Sequence, residues 1–312
     1  MGEQIRIGTR DSKLSLAQAM LVIQAIEKAC PGSRPQLVCR KTAGDKLLDR
    51  PLVDFGGKGA FVSEFEEGLL RGEIDFAVHS AKDLPMELAD GLGILGVLPR
   101  EDRRDVLVTL KGKKAKGTVS IGTASLRRSL QIKELGKALW PGCQVCPRLL
   151  RGNVLTRLDK LEQGLYDGIV LAAAGLKRLD IQGIREGRYE YRVFSEEEMI
   201  PAGGQGIIAV EGRRDDRLNW IIRKISHQET MEELLVERMA LKRLNAGCHE
   251  PVGVSCRRDE DGFLVLDGFY GKGGVLLRAR AEEKECLEST GKERMEQMAL
   301  LLAGRLGAAN LA

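Results

Sequence analysis

One unit recurs through the first two-thirds of the chain: a short apolar run, a turn of small donor-rich residues, then a stretch of helical period. Ile5-Arg6-Ile7-Gly8 leads through Thr9-Arg10-Asp11-Ser12 into a helix whose apolar stripe includes Leu16, Met20 and Ile23, with Ser12 or Ser15 as its cap. Phe76-Ala77-Val78 leads into His79-Ser80-Ala81-Lys82-Asp83-Leu84-Pro85. The strand near Ser120-Ile121 passes through Gly122 into a helix from about Leu126. Val145 to Leu149 feeds Arg151 and a helix over 153–163, and Ile169-Val170-Leu171 precedes Gly175-Leu176-Lys177-Arg178. Units of this kind build an open sheet that presents ligands at the C-terminal ends of its strands. Helix N-termini gathered there favour anions.

The pattern restarts after Pro99, so the expected fold is α/β with two similar open-sheet domains. From about Asp215 the texture changes. Two amphipathic helices reach Leu244, strands follow near Val252, Leu264 and Val275, and a last helix covers about Lys292 to Leu306. Helices and strands segregated in this way describe a smaller α+β domain. A chain of 312 residues is too long for one simple core, and the division expected is residues 1–98 with 199–215, residues 99–198, and residues 216–312.

The turns carry the chemistry. Arginines sit beside small donors in Gly8-Thr9-Arg10-Asp11-Ser12, in Gly122-Thr123-Ala124-Ser125-Leu126-Arg127-Arg128 and in Arg151-Gly152-Asn153-Val154-Leu155-Thr156-Arg157. Guanidinium forks match carboxylate and phosphate bidentately. Repetition of the pattern predicts a ligand with many negative charges, and Lys82 with Asp83 adds one acid among the cations. Yet 49 basic residues face 45 acidic ones, for a net charge of only +4, which argues against general nucleic-acid binding. Aromatics at 4% are too few for a base-stacking platform.

No apolar run approaches a membrane span. Met1-Gly2-Glu3-Gln4 has an acid where a signal peptide would be basic, and Arg6 stands where a myristoylation motif wants Ser or Thr. The seven scattered cysteines then read as reduced, and the chain as cytoplasmic, with no sign of an oligomer, a membrane partner or a nucleic-acid partner.

Each motif also has an ordinary reading. Asp83 could be a plain turn aspartate. Arg127 and Arg128 could be solvated helix residues. Arg151 and Arg157 are six apart and need not share a helical face; a loop position for Arg151 would resolve this. Cys248 beside His249 could be a buried thiol or a nucleophile, and no second Cys/His pair makes it a metal site. Cys143-Gln144-Val145-Cys146 enters a strand rather than opening a helix, which disfavours a redox motif. Gly56-Gly57-Lys58-Gly59 lacks the spacing of a phosphate loop. Residues 42–60 have no period and read as a mobile lid or binding loop, and 111–116 as a solvated basic turn.

Taken together, the motifs resemble the porphobilinogen deaminase family over essentially the whole chain. The matching stretches are Gly57-Lys58-Gly59 with Phe61, His79 to Pro85, Gly122 to Arg128, Leu150 to Leu158, Ala174 to Leu179, Gly204-Gln205-Gly206, and Gly247-Cys248-His249-Glu250-Pro251-Val252-Gly253. The resemblance implies two α/β lobes hinged like a solute-binding protein and a third domain carrying Cys248. It implies a dipyrromethane cofactor joined by a thioether to Cys248, on which four porphobilinogens are added head to tail with loss of ammonia. Water then releases hydroxymethylbilane, and the whole belongs to tetrapyrrole synthesis.

By the same resemblance, Asp83 is the catalytic carboxylate. Ser80, Lys82, Thr123, Ser125, Arg127, Arg128, Arg151 and Arg157 hold the cofactor or growing chain. Arg10, Ser12, Arg178 and Gln205 surround incoming substrate, and Lys58 and Phe61 end a lid loop. Each pyrrole ring carries an acetate and a propionate, which accounts for repeated arginine loops without a basic excess. Ala124 replaces a serine common in the family, Leu155 a small or acidic residue, and Gly203 a frequent valine. A reading from another class remains: a two-lobed polyanion-binding protein without catalysis, or, third, a cysteine-dependent hydrolase.

Overall fold

The computed structural model describes residues 3–40, 62–113, 117–245, 250–272, 275–286 and 288–307, with only the backbone of Lys272. Packing divides the chain into two units, Met1–Glu101 with Gly206–Glu232, and Asp102–Gln205 with Glu233–Ala312.

The first unit holds a five-stranded sheet. Its strands are β1 (Gln4–Arg10), β2 (Arg34–Arg40), β3 (Phe76–Ser80), β4 (Leu92–Val97) and β10 (Ile208–Arg213), in the order β2-β1-β3-β10-β4. β1 runs parallel to β2 and β3, whereas β10 runs antiparallel to both of its neighbours. Alternation along β3 sends Phe76 and Val78 to one face and Ala77 to the other. The first face is covered by the helices Lys13–Ala29 and Asn219–Ile225, the second by the helix Ser63–Leu70.

The apolar stripe of Lys13–Ala29 differs from the expected one. Ala19, Val22, Ile23 and Ile26 are buried, while Met20 is 44% exposed and Leu16 only half-buried. A helix lying close on a sheet favours a small residue at the contact, so Ala19 takes the place given to Met20.

The second unit repeats the plan. Its strands are β5 (Asp105–Leu110), β6 (Thr118–Gly122), β7 (Gln144–Arg148), β8 (Gly168–Ala172) and β9 (Tyr189–Val193), ordered β7-β6-β8-β5-β9. β6 is parallel to β7 and β8, and β5 is antiparallel to β8 and β9. The helices Leu126–Leu139 and Val154–Glu162 start within a residue of where the sequence places them. Gly175 lies inside the helix Ala173–Arg178, which follows β8 directly with no intervening turn.

The same unit contains an antiparallel sheet of β11 (Val252–Arg258), β12 (Leu264–Lys272) and β13 (Val275–Glu282). The helices Gln228–Arg243 and Gly291–Arg305 close its core around Val236, Ala240, Val254, Leu266, Met298 and Leu302. The fold is thus mixed α/β, with two like open sheets and a third small one. Residues 199–205 pack with the second unit and 216–232 with the first.

Candidate anion and cofactor site

In the first unit, β1 and β3 are parallel neighbours, so their C-terminal ends deliver side chains to one sheet edge. β1 ends at Arg10, and Ser12 caps the next helix by accepting the Ser15 N–H at 3.1 Å. β3 ends at Ser80, whose hydroxyl meets the Gln18 amide at 2.8 Å. A single 3-10 turn, Ala81–Asp83, follows, tied by the Ala81 N–H to the Ile207 carbonyl at 3.0 Å. Asp83 is exposed and Lys82 half-buried in that turn.

In the second unit, β6, β7 and β8 end at the corresponding edge. After β6, the Thr123 hydroxyl accepts the Ser125 N–H at 3.1 Å, and Ser125 caps the helix that carries Arg127 and Arg128. After β7, Arg151 lies in the loop ahead of the Asn153 cap, and Arg157 on the helix returns its Nε to the Gly152 carbonyl at 2.8 Å. Gly152 has φ of 113°, a backbone region open mainly to glycine. Arg178 ends the short helix after β8.

An acid that the sequence reading passed over organises this edge. β5 is antiparallel, so its first residue, Asp105, pairs with Ala172, the last residue of β8. Its carboxylate is fully buried. Oδ2 accepts Arg127 Nη1 at 2.7 Å, and Oδ1 accepts Arg128 Nε at 3.0 Å, Arg128 Nη2 at 2.7 Å and Gln205 Nε2 at 2.9 Å. Burial opposes the charge, but the two guanidiniums and the amide outweigh it and hold Asp105 well below the usual carboxylate range.

Arg127 and Arg128 are therefore not solvated helix residues; they are 3% and 6% exposed and ion-paired. Arg128 also gives Nη1 to the Val170 carbonyl at 3.1 Å, and Arg127 gives Nη1 to the Ile200 carbonyl at 2.7 Å. The Gln205 amide also reaches the Arg103 carbonyl at 2.7 Å. The signal for Asp105 was an acid leading straight into Val106-Leu107-Val108 behind two arginines.

A second buried acid, Glu237, accepts the Gly204 N–H at 2.6 Å and the Cys256 N–H at 2.7 Å, fixing the 204 turn against β11. β11 lies close to the arginine pair. A Cβ on Gly253 would come within 2.9 Å of Arg127 Cδ and 2.8 Å of the Ile200 carbonyl oxygen. Cys248, Lys58 and Phe61 lie outside the described residues.

The site keeps donors in hand for an anion. Arg127 Nε and Arg151 Nε are buried and have no hydrogen-bond partner among the described residues. Unmet guanidinium N–H groups suit the carboxylates of a polyanionic group such as a dipyrromethane.

The fold and site thus describe a mixed α/β protein with two open sheets, one of which sets two arginines, ion-paired to a buried carboxylate, at its strand ends. The family model described as porphobilinogen deaminase, dipyromethane cofactor binding domain, matches residues 5–219, and the chain belongs to the porphobilinogen deaminase family. It is 44% identical over 269 residues to the porphobilinogen deaminase of Acetivibrio thermocellus, covering 86% of this chain and 87% of that one. It is 40% identical over 295 residues to the enzyme of that name from Ruminiclostridium josui, covering 94% of this chain and 91% of the relative. Among solved structures, the periplasmic aliphatic sulphonate binding protein SsuA of Escherichia coli aligns at 17% identity with a TM-score of 0.40, covering 78% of this chain and 71% of that one, a likeness too loose to bear on function.

Proposed function

We propose that the chain is a transferase that deaminates four porphobilinogens, joins them head to tail on a covalent dipyrromethane, and releases hydroxymethylbilane by hydrolysis. Family membership, together with a preset arginine edge holding unmet donors, carries this reading. The dipyrromethane, held through a thioether to Cys248, supplies the primer for chain growth.

The chain's own residues bind and orient. Arg127, Arg151, Arg157 and Lys82 neutralise acetate and propionate arms of the bound pyrroles, Arg128 adds its charge from its place on Asp105, and Ser80, Thr123 and Ser125 add neutral donors. Arg10, Ser12 and Arg178 take the arms of incoming substrate, Gln205 lines that place with its amide held by Asp105 and the Arg103 carbonyl, and Lys58 and Phe61 close a lid over it. Loss of ammonia from porphobilinogen leaves a cationic azafulvene. Asp83, the exposed carboxylate at the end of β3, steadies that cation and moves protons at the pyrrole N–H.

The division into residues 1–98 with 199–215, 99–198 and 216–312 belongs to the same proposal. The protein is read as a cytoplasmic monomer. The six cysteines among the described residues are free, in keeping with a reducing compartment. No helix among the described residues is long and apolar enough to cross a membrane.

The test is the mass of the resting protein. It should exceed the sequence mass by one dipyrromethane and react with an aldehyde reagent for pyrroles. A bare-chain mass in protein that consumes no porphobilinogen would refute the reading.

A further inference from the structure

We propose that Asp105 is a positioning residue, which sets the Arg127–Arg128 pair in place before any ligand arrives. The proposal rests on the reading that these arginines hold the dipyrromethane. Two guanidiniums on adjacent residues, both buried, repel each other and are costly to desolvate. One fully buried carboxylate between them leaves the cluster with a single net positive charge.

The sharing is unequal. Arg128 spends Nε and Nη2 on Asp105 Oδ1 and Nη1 on the Val170 carbonyl, so every nitrogen is engaged. Arg127 meets Asp105 through Nη1 alone, and its buried Nε has no partner among the described residues. Arg128 is the anchored member, and Arg127 keeps an unspent edge for a ligand carboxylate. Donors fixed in advance cost no reorganisation when the anion binds. The antiparallel course of β5 makes this possible, because it starts a strand where β6 and β8 end.

The test is loading of the apoprotein with porphobilinogen, followed by intact mass, in wild type, Asp105→Glu and Asp105→Asn, with thermal melts of each. Glu162→Gln is the stability control. It breaks the Arg185–Glu162 pair at 2.9 Å in the same unit, away from the arginine edge. Asp105→Glu keeps the charge but moves the carboxylate by one methylene. It should melt close to wild type and yet load about tenfold or more slowly, the order expected from one misplaced charge-assisted hydrogen bond. Glu162→Gln should load at the wild-type rate despite a lower melting temperature.

Asp105→Glu loading like wild type, or failure of both Asp105 variants to fold, overturns the proposal and marks the acid as structural. Absence of any mass gain in wild type would instead count against the functional reading itself.

Discussion

The two open sheets share a frame and differ in the acid each presents. The second strand of each sheet leads out through Ile-Gly-Thr: Ile7-Gly8-Thr9 within β1, and Ile121-Gly122 closing β6 with Thr123 just beyond it. The glycine is required by close approach in both. A Cβ on Gly8 would sit 2.5 Å from Ile74 Cδ1, and one on Gly122 would sit 2.8 Å from Leu150 Cδ2. Each threonine is buried, and each is followed by a serine-capped helix.

In each sheet the fourth strand is antiparallel to its neighbours; β10 joins the first sheet from a later part of the chain, whereas β5 opens the second in sequence. In the second sheet that strand brings Asp105 to the arginine edge. In the first, Ile207 at the entry to β10 offers only a carbonyl, which accepts from Ala81. The buried acid of β10, Glu211, lies instead within the sheet, 2.9 Å from His79 Nε2. At the first edge Asp83 follows β3 in an exposed turn. An acid enclosed by two guanidiniums is already committed to the fold, whereas one in an open turn remains accessible to substrate.

That contrast can be broken most forcefully by stability. Asp105→Asn strands two buried guanidiniums and should cost about 3–5 kcal/mol in urea unfolding. Asp83→Asn, at an exposed position, should stay within about 0.5 kcal/mol. Equal losses would erase the distinction. Activity separates the two by a different route: Asp83→Asn keeps its cofactor mass but loses kcat by about 10²–10³-fold, or ~2.7–4 kcal/mol of transition-state stabilisation. A near-normal rate would remove Asp83 from its assigned role.

Acid titration sharpens the same point. In the unfolded chain Asp105 takes up a proton near pH ~4, whereas in the folded chain it does so only well below that. The unfolded state therefore binds more protons in that window, so this contribution is complete above pH ~4 and is lost as the pH falls further. Urea midpoints should drop on acidification through that range. A midpoint insensitive to pH there would contradict the buried pair. The smallest effect concerns the shared frame: Ser12→Ala and Ser125→Ala each remove a helix cap and should each cost about 1 kcal/mol. A large inequality between them in thermal melts would show that one serine does more than cap.

Much of the frame was legible because its signals are local. Strand–turn–helix spacing located the parallel strands, and the helix starts expected at about Leu126 and Asn153 hold to within a residue. The fourth strands were not legible as sheet partners. Pairing of β5 with β8 and of β10 with β3 joins segments far apart in sequence, and no local pattern encodes it. Asp105 was missed for that reason: in sequence it is an acid beside Arg103 and Arg104, and only the antiparallel register sets it opposite Ala172. Met20 misled because its size suggested burial where the sheet accepts only Ala19. The roles of Cys248, Lys58 and Phe61 rest on family resemblance alone.

Chain growth on the protein itself is most directly tested by brief exposure of the holoprotein to porphobilinogen, then acid quench and intact mass spectrometry. Wild type should show a ladder of equal increments above the resting mass, and Asp83→Asn should stay at the resting peak. A single unshifted peak in wild type while porphobilinogen disappears from solution would contradict it.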